Sequence, residues 1–198
     1  MRRIFLTMFV SLDGVMEDPH LWHFPYMSAE MGAYKLKETF ATDALLLGRV
    51  TYEGFAEAWP GRTDEAGFAD RFNNMPKYVV STTLKNPSWN NSHVISGDVI
   101  QSVQMLKDEP GQDIAIHGSA TLVKTLMEAN LIDEYRLMVH PLVLGSGRRL
   151  FEERPFRTSL TLTKTEPMPN GVVVLTYEPD PDAEPSPDVA AETAGAAK

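Results

Sequence analysis

Short apolar runs alternate with segments of helical periodicity along most of the chain, and this alternation limits the possible folds more than any other feature. The runs with the length and composition of buried strands are 4–10, 44–48, 77–82, 93–95, 113–118 and 134–144. Helical patterns fit between them, at about 28–41, 50–58, 98–107 and 119–129. Strand–helix–strand alternation with short connections predicts an α/β fold whose mostly parallel sheet carries helices on both faces.

The last part of the chain has a different pattern. The segments "TSLTLTKTEPM" (158–168) and "VVVLTYE" (172–178) are period-two or β-branched runs joined through "PNG". Such a connection is typical of a β-hairpin. We therefore expect an antiparallel C-terminal hairpin at one edge of the sheet.

Composition excludes several classes of function. A net charge of −9 and a pI of about 5.0 argue against a nucleic-acid-binding protein, which needs a basic face. The chain has no cysteine, so neither disulfides nor thiolate metal sites are available. No apolar run approaches the roughly 18 residues of a membrane span, and "MRRIFLTMFVSLDG" is typical of a first buried strand. We expect a cytoplasmic protein with no membrane partner.

The C-terminal tail departs from the rest in composition. Residues 179–198 contain five acidic residues, one lysine and no aromatic residue. Such a segment buries too little apolar surface to offset its ordering entropy, which predicts disorder. Residues 1–178 are therefore interpreted as one domain, followed by an acidic Pro/Ala-rich tail.

Polar and glycine residues follow three predicted strands. Gly48, Arg49 and Thr51 follow the second, Ser81 and Thr82 end the third, and "HGSAT" (117–121) ends the fifth. Ligands of open α/β sheets bind beyond the carboxyl ends of strands, and glycines at helix starts leave N–H groups open to phosphate. The alternative is that these residues are ordinary helix caps. Neither GxGxxG nor GxxxxGK[ST] is present.

With these motifs, the chain resembles the dihydrofolate reductase-like superfamily, and within it the reductase domain of bacterial riboflavin biosynthesis (the RibD C-terminal domain). The resemblance covers about residues 2–178. It rests on "SLDG" (11–14), "LLLGRVTYEGF" (45–55), "PKYVVST" (76–82), "IHGSATLVKTLME" (116–128), "LIDEYRLMVHPLVLGSG" (131–147) and "LF" (150–151). It implies a dihydrofolate reductase-like three-layer fold and a homodimer. No deaminase half precedes this domain, so a stand-alone member is expected.

The resemblance also implies NADPH as the cofactor. Arg49 would pair with the phosphate on the adenosine ribose, assisted by Ser81 or Thr82. The pyrophosphate would be held by Thr51 and by the backbone of Gly118, Ser119, Ala120, Thr121 and Leu122. The end of the first strand near Val10 would receive the nicotinamide carboxamide, and Gly48 would allow the close approach.

Reduction of a C=N bond also needs a proton donor. Dihydrofolate reductases keep an acid on their first helix, but counting back from Gly48 leads to Gly32, which argues against folate reduction. The remaining candidates are Asp13, which also suits a tight turn, and Glu30, which also suits a first helical turn.

Aromatic residues and histidines come shortly before the first predicted helix. Trp22 and Phe24 could stack on a flat heterocyclic substrate, or could equally be core or dimer contacts. His20 and His23 lack a third ligand nearby, so no metal site is predicted.

The leading hypothesis is an NADPH-dependent reductase of a small pterin-like or pyrimidine-like heterocycle. It would resemble either 5-amino-6-(5-phosphoribosylamino)uracil reductase or dihydrofolate reductase. The alternatives are a nucleotide- or flavin-binding module without turnover, and a structural subunit whose strand-end glycines are only caps.

Overall fold

A computed structural model describes residues 1–151 and 157–182 of the chain. Its strands are β1 (Ile4–Ser11), β2 (Thr42–Gly48), β3 (Lys77–Val80), β4 (Ser92–Ile95), β5 (Asp113–Ile116), β6 (Glu134–His140), β7 (Leu160–Pro167) and β8 (Val173–Pro179). Its α-helices are α1 (Ala29–Phe40), α2 (Arg49–Ala58), α3 (Phe68–Asn74), α4 (Val99–Asp108) and α5 (Ala120–Glu128). The disorder predicted for the acidic tail falls mostly on residues 183–198, outside the described residues.

All eight strands belong to one sheet with the order β4-β3-β2-β5-β1-β6-β8-β7. The pairs from β4 through to β6 are parallel, whereas β8 pairs antiparallel with both β6 and β7. The β7–β8 connection contains a short turn at Pro169–Gly171, in which Asn170 takes a left-handed φ of 65°. The predicted mostly parallel sheet with an antiparallel hairpin is confirmed.

Three strands end earlier than predicted, and a local feature of the chain explains each early end. Ser81 leaves β3 because its hydroxyl oxygen accepts hydrogen bonds from the N–H groups of Thr83 and Leu84, which makes a turn. Gly118 cannot extend β5, because its φ of +122° is not a strand conformation. Beyond His140 the chain turns at Pro141, which has no N–H to donate to the sheet. Helix α3 was not predicted.

The sheet is covered on both faces, as predicted. On one face, Leu6, Leu46 and Ile116 belong to a buried cluster with side chains of α4 and α5, including Leu122, Val123, Leu126 and Met127. On the other face, Phe5, Leu45 and Ala115 pack with side chains of α2 and α3. Helix α1 covers the rest of this second face, where Met31 packs with Met138 and Val174.

Among the described residues, no helix combines the length and the apolar character that crossing a bilayer would need.

Candidate active site

The three polar strand ends predicted from the sequence lie side by side. Strand β2 has β3 on one side and β5 on the other, with Gly48 opposite Val80 and Leu46 opposite Ile116. Because all three strands run in the same direction, their carboxyl ends meet at one edge of the sheet. Arg49, Ser81 and His117, which follow these strands, therefore lie at the same edge.

The loops after β2 and β5 are in direct contact. The Gly48 N–H donates a 3.0 Å hydrogen bond to the carbonyl oxygen of Gly118. A Cβ on Gly48 would lie 3.0 Å from the backbone nitrogen of Ser119, and one on Gly118 would lie 2.8 Å from Thr51 Oγ1. The peptide bond between Gly118 and Ser119 is cis. We call residues 48–51 and 118–122 the glycine junction.

Two helices begin at the glycine junction. Gly48 is the N-cap of α2 and Ser119 is the N-cap of α5, and neither makes a side-chain hydrogen bond to its helix. The first N–H groups of a helix have no partner within the helix, and they carry the positive end of its dipole. Two such helix starts in contact make a site suited to an anion with two phosphate groups.

The α5 side of the junction presents mainly backbone. Ala120 and Leu122 have buried side chains, so only their main-chain groups could contact a ligand. Thr121 is exposed, and its Oγ1 accepts a 2.7 Å hydrogen bond from the Arg148 guanidinium. The sequence alone leaves open whether Arg148 contacts a ligand or a partner subunit, and in the structure it contacts Thr121 of the junction.

Arg49 is the first residue of α2, and its guanidinium is partly exposed. It donates to both carboxylate oxygens of Glu53, at 3.0 and 2.8 Å, one helical turn further on. Exposed pairs of this kind contribute only about 0.3–0.5 kcal/mol, so a phosphate could readily compete for the guanidinium. Thr82 is exposed nearby, whereas the Ser81 hydroxyl oxygen is already used by the turn after β3.

Asp13 is held by the backbone around it. Its carboxylate accepts hydrogen bonds from the Ser11 hydroxyl at 2.7 Å and from the N–H groups of Leu144 and Gly145 at 3.1 and 2.9 Å. These hydrogen bonds lower the pKa of Asp13 to about 2, and the bond from Ser11 has the largest effect. A carboxylate that is ionised at neutral pH and joins two loops has the features of a structural group.

The second acid candidate, Glu30, lies exposed in the first turn of α1, which is capped by the Ser28 hydroxyl. That place favours an acidic side chain through the helix dipole alone.

The aromatic segment before α1 is divided between interior and surface. Trp22 is buried, donates from Nε1 to the carbonyl of Glu17 at 2.9 Å, and packs edge-on against His140. Phe24 is 62% exposed and covers the ring of His23. Of the two, Phe24 is therefore the one with a ring face open to a ligand. The side chain of Val10 is buried in the hydrophobic cluster that packs against α4 and α5, so only its backbone could receive a carboxamide.

His23 lies inside this aromatic group. Its ring stacks on Phe9 with centroids 4.5 Å apart, and its Nδ1 is buried without a hydrogen-bond partner. Burial first, and then the neighbouring His140 and His20, lower the pKa of His23 to about 4. Within residues 1–151 and 157–182, no three His, Cys, Asp or Glu side chains are grouped as metal ligands.

A polar cluster that was not predicted from the sequence lies on the α1 face of the sheet and is formed by Thr7, Lys35, Glu38 and Arg136. The Lys35 ammonium donates to Thr7 Oγ1 at 2.9 Å and is paired with Glu38. The Thr7 hydroxyl donates to Glu38 at 3.0 Å, and Arg136 approaches the same carboxylate at 3.3 Å. Thr7 and Arg136 lie far in the sequence from the pair Lys35 and Glu38, so no local pattern brings the four residues together.

His117 connects this polar cluster to the glycine junction. In the parallel register of β1 and β5, Phe5 is opposite Ala115 and Leu6 is opposite Ile116, which places Thr7 level with His117. The His117 ring packs edge-on against Phe55 and Phe72. Burial, followed by the charge of Lys35, holds the pKa of His117 well below its usual value, so its ring is neutral.

Known proteins resemble this chain in sequence and in fold. The chain matches the RibD C-terminal domain family over residues 2–174. It is 32% identical over 180 residues to the uncharacterized protein YyaP of Bacillus subtilis (strain 168), covering 89% of this chain and 94% of that protein.

Two solved structures have the same fold. One is a putative riboflavin biosynthesis protein from Shewanella sp. PV-4, with a TM-score of 0.70, 19% identity, and coverage of 91% of this chain and 99% of that one. The other is dihydrofolate reductase from Enterococcus faecalis complexed with NADP(H), with a TM-score of 0.60, 16% identity, and coverage of 90% and 96%. The dihydrofolate reductase-like fold is confirmed.

Proposed function

The chain belongs to the RibD C-terminal domain family, and from that premise we propose that it is an NADPH-dependent reductase of a small pterin-like or pyrimidine-like heterocycle. The fold and the family support a reductase. The nature of the cofactor and of the acceptor is inferred from the site.

The observation that carries the proposal is the contact between Gly48 and Gly118. Two helix N-termini converge there, and the space that a Cβ would occupy at either glycine is already filled by its neighbours. Glycine at both positions therefore lets the two loops pack against each other, which brings the starts of α2 and α5 together, and adjacent helix N-termini suit a pyrophosphate. Thr51 and the main chain of residues 118–122 would bind that group.

Arg49 supports the choice of NADPH over NADH. Arg49 belongs to the glycine junction, at the start of α2, and its guanidinium is partly exposed to solvent. A planar, permanently charged fork matches a phosphate monoester, which only NADPH carries on its adenosine ribose. Thr82 could add a hydroxyl contact, whereas Ser81 would serve mainly to shape the loop.

When bound, a reduced nicotinamide supplies a hydride. The protein then has to place the acceptor against it and exclude water. The exposed ring of Phe24 offers a flat surface for a heterocycle.

A second candidate function is a nucleotide- or flavin-binding module that catalyses nothing itself. The surroundings of the two candidate acids favour this function. Asp13 accepts hydrogen bonds from two backbone N–H groups, and Glu30 is exposed at a helix start. Neither has the surroundings of a proton donor.

Two measurements, made one after the other, test the proposal. The first is thermal unfolding with increasing NADPH, NADH or a flavin; a ligand at 100 times its Kd should add about 2.7 kcal/mol to the free energy of unfolding. The second is NADPH oxidation in the presence of dihydropterins and ribosylaminopyrimidines. Binding with turnover supports the reductase, binding of NADPH or a flavin without turnover supports the binding module, and no binding of either rejects both.

A further inference from the structure

We propose that Lys35 is the proton donor of the reduction, in place of the acid that dihydrofolate reductases keep on the first helix at the position where this chain has Gly32. This inference rests on the proposed function. It assigns a catalytic role to a residue of the polar cluster, on the helix where an acid would be expected.

The position of Lys35 suits an acceptor bound beside the cofactor. Its ammonium lies over β1, at the level of Thr7, and Thr7 lies level with His117 on β5. His117 is followed directly by Gly118, one half of the glycine junction. Lys35 therefore lies on the α1 face of the sheet, next to the strand that leads into the proposed cofactor site.

The hydrogen bonds of Lys35 leave it able to donate. An ammonium group has three hydrogens. Thr7 and Glu38 are the acceptors of Lys35 among the residues that the structure describes, so one hydrogen is left for a ligand. The side chain is 14% exposed, which allows contact with a bound molecule but little contact with water.

The charges around Lys35 hold it in place. Glu38 is 6% exposed and faces two cations, Lys35 and Arg136, while the Thr7 hydroxyl also donates to it. Arg136 is in turn paired with Glu134. The groups facing Lys35 are thus Glu38 on its own helix, Thr7 on β1 and the neutral His117 after β5. Arg136 on β6 pairs with Glu38.

The other titratable groups near the site are less suited to donate a proton. Asp13 is ionised at neutral pH and is engaged with backbone N–H groups. His23, His117 and His140 are neutral, because burial lowers the pKa of each. A neutral imidazole is a weak acid.

The C=N double bond of the acceptor gains a hydride at carbon, supplied by the reduced nicotinamide, and a proton at nitrogen, supplied by Lys35. The π bond breaks, new C–H and N–H bonds form, and the cofactor is released oxidised. Lys35 is left as a neutral amine and regains a proton from water.

The test compares Lys35→Arg, Lys35→Met and the control Lys37→Met, an exposed lysine on the same helix. Arginine keeps the charge and can still pair with Glu38, but it does not release its proton in proteins. We expect both Lys35 variants to lower kcat about 100- to 10,000-fold, a range typical of lost general acid catalysis. In Lys35→Met, kcat should rise about tenfold per pH unit of acidification, because hydronium then supplies the proton.

Binding gives a readout independent of turnover. The thermal shift with NADPH, and the quenching of tryptophan fluorescence by a dihydropterin, should be close to wild type in Lys35→Arg. Near-wild-type kcat in Lys35→Arg would overturn the role of Lys35 while the reductase function stands. If the wild type does not bind NADPH, or oxidises none with any acceptor tested, both proposals fail.

Discussion

The main-chain N–H of Gly48 donates to the carbonyl oxygen of Gly118 at 3.0 Å, and this bond joins the start of α2 to the loop before α5. The two glycines are 70 residues apart in sequence (118 − 48) but adjacent in the sheet, because β2 pairs with β5. Everything proposed for the cofactor depends on this closeness.

Replacing Gly48 with alanine should separate the two loops. The new Cβ would lie 3.0 Å from the backbone nitrogen of Ser119, which cannot move away as a flexible side chain could. We expect the free energy of unfolding to fall by about 1–3 kcal/mol, as for other overpacked sites. The stabilisation by NADPH should be lost as well. Urea denaturation with and without the nucleotide measures both effects.

Gly54→Ala is the matched control for this substitution. Gly54 lies within α2, and a Cβ added there would have no heavy atom of a neighbouring group within 4 Å. Alanine there should raise the free energy of unfolding by about 0.5–1 kcal/mol through helix propensity, with NADPH binding unchanged. Wild-type stability and NADPH affinity in Gly48→Ala would contradict the importance of the junction.

Replacing Arg49 with alanine should abolish the preference for NADPH. A charge-assisted, bidentate contact contributes roughly 1.5–3 kcal/mol, so the Kd for NADPH should rise about 10- to 150-fold while the Kd for NADH stays the same. Titration calorimetry with each nucleotide gives the ratio.

Arg62→Ala controls for the loss of one positive charge from the surface. The Arg62 guanidinium lies over the Trp59 ring, 5.3 Å from its centroid, just beyond the other end of α2. The ratio of the two affinities should not change in this variant. An equal loss of NADPH affinity in both variants would mean that Arg49 acts only through net charge.

Local sequence patterns were sufficient to predict the backbone structure of each half of the glycine junction. Each glycine follows an apolar run and precedes a helical pattern, so the sequence predicts a strand end and a helix start at both places. The neighbouring position of β2 and β5 is a long-range property that came only through the family resemblance. The seven-residue helix α3 is too short to show a clear period, and was missed for that reason.

The polar cluster and the buried Lys77 could not be predicted. Thr7 and Lys35 are 28 residues apart, and each is an ordinary polar residue within its own element. Lys77 is fully buried, where its ammonium donates to the carbonyls of Asn73 and Asn90 and lies 4.1 Å from the Trp89 ring centroid. A single sequence contains no signal that a lysine is inside rather than outside.

Replacing Asp13 with asparagine should destabilise the protein without changing the pH dependence of turnover near neutrality. The carboxylate accepts from Ser11, Leu144 and Gly145, so its loss loosens the loop after β1 from the loop after β6. Its pKa of about 2 lies below the usual 3.8, so its contribution to stability is present above pH 3.8 and is lost as the pH falls toward 2. Thermal unfolding across this acidic range should show the loss in the wild type and not in Asp13→Asn.

The exposed Asp108 at the end of α4 provides a matched control, and Asp108→Asn should unfold like the wild type. The opposite result for Asp13→Asn, with unchanged stability and lost turnover, would instead favour the catalytic role considered from the sequence.

Replacing His23 with phenylalanine should make the protein less sensitive to mild acid. Burial lowers the pKa of His23 from 6.5 to about 4, so between these values the unfolded chain binds a proton that the folded protein does not. Stability therefore falls as the pH drops from 6.5 to 4, by up to about 3 kcal/mol at 1.36 kcal/mol per pH unit. Phenylalanine keeps the stacking on Phe9 and Phe24 and removes both the titration and the unpartnered Nδ1.

Urea denaturation at several pH values between about 4 and 7 measures this effect. The free energy of unfolding of His23→Phe should match or exceed that of the wild type at neutral pH, because a buried polar atom without a partner is gone. As the pH falls toward about 4, the free energy of unfolding of His23→Phe should decline less steeply than that of the wild type. His20→Asn, which changes an exposed histidine three residues away, should keep the wild-type decline. If wild type and His23→Phe lost stability in parallel, protonation of His23 would not be what destabilises the folded protein in mild acid.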